Sequence, residues 1–161
     1  MKRILVVIAL LVVPGTAQAI EVGDPATPFN LEDATGKTYT LASFSKKVLV
    51  VWYEGKNSKE QNRWVKDKLK ALRAAGTLNE KLYESVGIAN FQETAVPNAI
   101  IQMVIKSEIK KTGAVILCDK TGYMMKHWGF RNGRSNLYVF GPGRRLLWKT
   151  SGPLDQKRGN Q

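Results

Sequence analysis

Residues 47–62 read KVLVVWYEGKNSKEQN, and the change of character at Glu54 decides what this chain can build. Val48 to Tyr53 are six consecutive apolar residues, rich in β-branched and aromatic side chains. A strand covered on both faces needs such a run, whereas a strand with one wet face would alternate. The polar residues that follow read as a helix start. Asn57 or Ser58 can cap the first helical amides, and Ser58 with Gln61 has the spacing of a reciprocal capping box. Val65, Leu69 and Leu72 then recur at helical spacing, Lys59, Arg63, Lys66 and Lys70 lie largely away from them, and Gly76 supplies the stop. A buried strand leading into an amphipathic helix is predicted.

Upstream, EVGDPATPFNLEDATGKTYTLASFS (21–45) is rich in turn formers, with short extended pieces on either side of Gly36. LYESVGIAN (82–90) reads as a second core strand. Ala99 to Lys111 returns to helical spacing through Ile101, Val104, Ile105 and Ile109, after Pro97 and Asn98. AVILCD (114–119) is a third strand, turned by KTG into a short segment, Tyr123 to Trp128. NLYVFG and RRLLWKTSG flank GPG (141–143), a hairpin signal. The order β-α-β-α-β followed by an antiparallel pair predicts an α/β fold. Right-handed crossovers would place helices on both faces of one mixed sheet. Beyond the hairpin only Pro153 and Leu154 favour a helix, so a terminal helix is expected to be short or missing. Residues 153–161 are expected as a disordered basic tail.

The other end reads as an address. Lys2 and Arg3 precede a nearly unbroken apolar run from Ile4 to Val13, and PGTAQA ends with small residues at Ala17 and Ala19. That layout predicts a cleavable export signal over residues 1–19, too short in its apolar core to span a bilayer. One domain, residues 20–152, remains. The whole chain has 25 basic and 13 acidic residues and a net charge of +12. Removing nineteen residues leaves 142 and, without Lys2 and Arg3, a net charge of +10. Such an excess favours polyanions or an anionic membrane surface, and equally suits a soluble surface. Export permits disulfides, yet Cys118 is the only cysteine. In an apolar strand it reads as a small hydrophobe rather than a reactive thiol.

The stretches VGDPATPFNLEDATGKTYTLASFSKKVLVVWY, VILCDKTGYMMKHWGF and LYVFGPGRRLLWKTSGPLD resemble, in order, the peroxiredoxin and thiol-reductase branch of the thioredoxin superfamily. With GKNSKEQN and VPNAII, the chain is most similar to the YtfJ-type family of exported bacterial proteins. The resemblance implies a thioredoxin-like fold and a periplasmic location, with secretion as the lesser alternative. It also implies where chemistry would sit. Laid without gaps on the thiol-reductase pattern, the two cysteine positions fall on Asn57 and Glu60, and the family's cis-proline position falls at or beside Arg134. Disulfide exchange needs an attacking thiolate and a resolving sulfur, which an amide and a carboxylate cannot replace.

No other catalytic set presents itself. His127 is the only histidine, so a histidine-rich metal site cannot form, and no metal or other cofactor is expected. Asp33, Glu54 and Asp119 are carboxylates without a spacing that pairs them. No phosphate loop or serine-nucleophile elbow is present. No catalytic residue is nominated, and the expectation leans away from an enzyme. The reading that remains is a non-redox binding or interaction module of the cell envelope. Its basic cleft at the former active site would be lined by Lys56, Asn57, Ser58, Lys59, Arg131, Arg134 and Ser135, and would take an anionic small molecule. An envelope protein, peripheral membrane contact or a homodimer are the other expected partners, and export disfavours nucleic acid. The alternatives are a basic protein adhering to polyanions or membrane surfaces, and, below that, an oxidoreductase-like enzyme using Cys118.

Overall fold

The structure, a computed structural model, describes residues 19–44, 46–79 and 81–155. The predicted leader, apart from Ala19, and the end of the tail from residue 156 lie outside the described residues.

The apolar run becomes the strand β3 (Val48–Glu54) at the heart of the sheet. It pairs parallel with β4 (Tyr83–Asn90) and antiparallel with β6 (Asn136–Phe140). Beyond β4 lies β5 (Ile116–Asp119), parallel to it. Two short strands, β1 (Asn30–Asp33) and β2 (Thr38–Thr40), continue antiparallel to that edge, and β7 (Leu146–Ser151) closes the other beside β6. The result is a seven-stranded mixed sheet in the order β2-β1-β5-β4-β3-β6-β7. Gly36, at a φ of +90°, turns the chain between the first two strands, a conformation glycine adopts without steric cost.

Helices cover both faces, because alternate residues of β3 point opposite ways. Leu49, Val51 and Tyr53 join Val86, Ile88 and Leu117 under Met124 and Trp128 of α3 (Tyr123–Trp128). Trp128 is fully buried, its ring centroid 5.9 Å from that of Phe29 and 4.9 Å from that of Phe140. Aromatic side chains of this size supply much of a core's buried area. On the opposite face, Lys66 of α1 (Arg63–Ala74) sits 5.1 Å over the Trp52 ring. The same face carries α2 (Asn98–Thr112), which lays Ile101, Ile105 and Ile109 on Phe91, Cys118 and Ile116.

Two features depart from the sequence pattern. The first helix begins at Arg63 rather than at Asn57 or Ser58. The Ser58 side chain is engaged away from any helix amide, and residues 56–62 form successive turns instead. Asn62, the residue before the helix, makes no capping bond because its amide points into the protein. At the other end, Gly152 to Asp155 carry no helix. Leu154 is nevertheless fixed, its amide donating to Asn62 Oδ1 at 2.8 Å. Above β7, Leu147 and Trp148 remain 55% and 43% exposed.

Candidate functional site

The carboxyl end of β3, the turns after it and the loop before β6 meet at one end of the sheet. Glu54, the last residue of β3, anchors this end. Its carboxylate accepts the Ser135 hydroxyl at 2.6 Å and the Lys66 ammonium. Ser135 Oγ also accepts from Asn62 Nδ2 at 3.1 Å, while its backbone N–H donates to Gln61 Oε1 at 3.0 Å. Gln61 returns a bond from Nε2 to the Gly133 carbonyl at 3.0 Å. Asn62 Nδ2 reaches the Gly152 carbonyl at 2.9 Å as well. Gln61 and Asn62 thus fasten the turns after β3 to the 131–135 loop and to the chain after β7.

A second carboxylate closes the same turns from the other side. Glu93 stands in a one-turn 3-10 helix, Phe91–Glu93, immediately after β4. It accepts the Asn57 N–H at 2.7 Å and the Ser58 hydroxyl at 2.8 Å. Ser58 Oγ in turn accepts the Gly55 N–H at 2.9 Å. Gly55 has to lack a side chain: a Cβ there would lie 2.6 Å from Glu93 Cβ.

The proposed cleft residues therefore divide by depth. Ser58 and Ser135 are both fully buried, each bound to a different carboxylate. Lys56, Asn57, Lys59, Arg131 and Arg134 are exposed. None of the four cations makes an ion pair among the described residues. The structure brings the two loops together through Gln61 and Asn62, which sequence reasoning did not nominate. Glu93 and Lys66 were missed too. The only advance signal was Glu54, a lone carboxylate at a strand end.

The two positions that the resemblance sets against the thiol-reductase cysteines are engaged differently. Asn57 gives its amide to Glu93, and Glu60 is paired with Arg63 at 2.7 Å. The hydrogen bond from Arg63 holds the Glu60 carboxyl below its usual range. No cis peptide bond occurs among the described residues.

The other chemical candidates are bonded to other partners, although Asp119 ends β5 at this same end of the sheet. Asp119 is buried and accepts the Tyr53 hydroxyl at 3.1 Å and the amides of Tyr123 and Met124, each at 2.9 Å. Burial and the adjacent Asp119 push the Tyr53 hydroxyl well above its ordinary value. Asp33 closes its turn by accepting from Thr35 and Lys37. Among the described residues no two of Asp33, Glu54 and Asp119 share a side-chain hydrogen-bond partner. His127 is half-buried and stacks on Tyr123 at 4.1 Å. Among the described residues no three His, Cys, Asp or Glu side chains converge as a metal set. Cys118 is 4% exposed, and burial pushes its thiol up to about 11 against the opposing charge of Lys120.

The sheet order, crossing helices and terminal hairpin define a thioredoxin-like fold, and comparison with solved structures agrees. The exposed lipoprotein thioredoxin Etrx1 from Streptococcus pneumoniae superposes with a TM-score of 0.58 at 14% identity, covering 81% of this chain and 93% of its own. A thiol-disulfide oxidoreductase from Bacteroides fragilis gives 0.58 at 16% identity, with coverages of 78% and 89%. Peroxidoxin BcpB from Mycobacterium tuberculosis gives 0.57 at 17%, with coverages of 83% and 86%. No family model and no curated protein matches the chain.

Proposed function

We propose that this is an exported thioredoxin-fold protein, periplasmic and of the YtfJ type, that works without thiol chemistry as a binding module of the cell envelope. Its ligand is an anionic group, a carboxylate or a phosphate, held on the basic rim of the former active-site end. The observation that carries this reading is the Glu93 carboxylate on the Asn57 amide and the Ser58 hydroxyl. These turns already bind one anion from within the chain. Around them Lys56, Lys59, Arg131 and Arg134 are exposed and without ion pairs among the described residues. The first turn of α1 holds Arg63 and Lys66 and no acid of its own, and these two cations are paired with Glu60 and Glu54 from outside the helix.

The loss of redox function has its own support. Cys118 is the only cysteine, and Gln61 occupies the Ser135 amide beside the family's cis-proline position. The likeness to an exposed lipoprotein supports the envelope location. Exposed Leu147 and Trp148 support a protein contact over β7, with a second copy as the proposed cover.

Sulfate and phosphate titrations followed by amide NMR test the rim. The signals of Lys59, Arg131 and Arg134 should move first and saturate, and Arg134→Ala should weaken the response severalfold. Small, uniform shifts over the whole basic surface would reject a defined site.

A further inference from the structure

Helix α2 is apolar on two opposite sides. Ile101, Ile105 and Ile109 face the sheet and its cluster around Cys118. Ile100, Met103 and Val104 face away, with exposures of 51%, 71% and 63%. At about 100° per residue these three share the outer pole with Ser107 and Lys111, and Lys110 borders it. A helix that only covered a sheet would be polar there. Thr94 to Ile105 contains no charged residue at all. Charge begins at Lys106, and Lys106, Lys110 and Lys111 outnumber Glu108 on the remaining turns. None of these three lysines makes an ion pair among the described residues.

This arrangement asks for a partner that is apolar beneath and negative at its surface. A stable protein interface engages about 20–30 residues a side, far more than three side chains on one helix. An anionic bilayer surface needs only a shallow apolar insertion with cations at the headgroup level. No described helix is long and apolar enough to cross a membrane. We propose that α2 docks this protein on an anionic phospholipid surface. Ile100, Met103 and Val104 enter the boundary between headgroups and acyl chains, while Lys106, Lys110 and Lys111 meet lipid phosphates. Lysine stems suit this position because they lie along apolar surface and keep the ammonium at the polar edge. The proposal rests on α2 alone and does not require the anion-binding rim.

Vesicle co-sedimentation of the purified chain tests it, using phosphatidylglycerol mixed equally with phosphatidylcholine against phosphatidylcholine alone. Binding is expected on the anionic vesicles only. Met103→Ser with Val104→Ser should weaken it at least about tenfold, with the melting temperature held. Lys110→Gln with Lys111→Gln should weaken it and flatten its dependence on salt. Equal binding to neutral vesicles, or no loss in the apolar double variant, would overturn the proposal. So would self-association in sedimentation velocity that the apolar double variant abolishes, which would assign the face to a second copy.

Discussion

Glu93 and Ser58 stand 35 residues apart in the chain and 2.8 Å apart in space. Their bond joins the turn after β4 to the turns after β3, so the two strands are linked beyond the last rung of their parallel ladder. The carboxylate also covers Gly55 so closely that no side chain fits there. One end of the sheet is thereby held as a single unit.

Ser58→Ala is expected to cost about 1–3 kcal/mol, because it leaves the Gly55 N–H and one Glu93 oxygen without their partner. Gly55→Ala should also destabilise, by forcing Glu93 aside. In a Glu93→Ala background that second cost should shrink. Urea denaturation of the two single variants and the double variant measures the coupling, and strictly additive losses would contradict the contact.

Neither insulin reduction nor hydroperoxide consumption above background is expected. With the Cys118 thiol at about 11, only about one part in a thousand is thiolate at pH 8. Ellman's reagent should therefore react with Cys118 slowly in the native protein and fully after unfolding. Turnover that disappears in Cys118→Ser would place thiol chemistry back on this chain.

Asp33 should shape the acid limb of stability. Burial alone would raise its carboxyl, but the Thr35 side chain and amide, with the Lys37 amide and charge, outweigh it and hold the group below its ordinary value. The depressed group stabilises the fold above the unfolded carboxylate value of about 3.9, and the contribution fades as pH falls through the lower folded value. Asp33→Asn should lose stability at neutral pH and flatten the decline toward acid. Urea midpoints measured from neutral down to about pH 2 check this, and an unchanged acid limb would contradict it.

Much of the fold was legible because its signals are local. Val48 to Tyr53 could only be a buried strand, GPG marked the hairpin, and Tyr123–Trp128 fell where the turn KTG placed it. The flanking pair of short strands beside β5 was legible as extended pieces but not as neighbours of that strand. The helix start was misplaced because Asn and Ser serve caps and turns alike, and only a partner decides between them. That partner is Glu93, supplied by tertiary structure. Gln61 and Asn62 were opaque for the same reason: in the sequence they are two polar residues in the opening turns of a predicted helix, and in the fold they bridge three separate segments.

Ile20 is only 5% exposed and belongs to the core around Trp128. Ala19 lies so near Gly129 that a Cβ at the glycine would fall 2.3 Å from the alanine's own. For the exported chain proposed above, this sets an order of events. The bond between Ala19 and Ile20 is withdrawn once the fold closes, so a peptidase has to cut there while the segment is still loose. On that proposal processing precedes folding, and a chain that folded too early would keep its proposed leader.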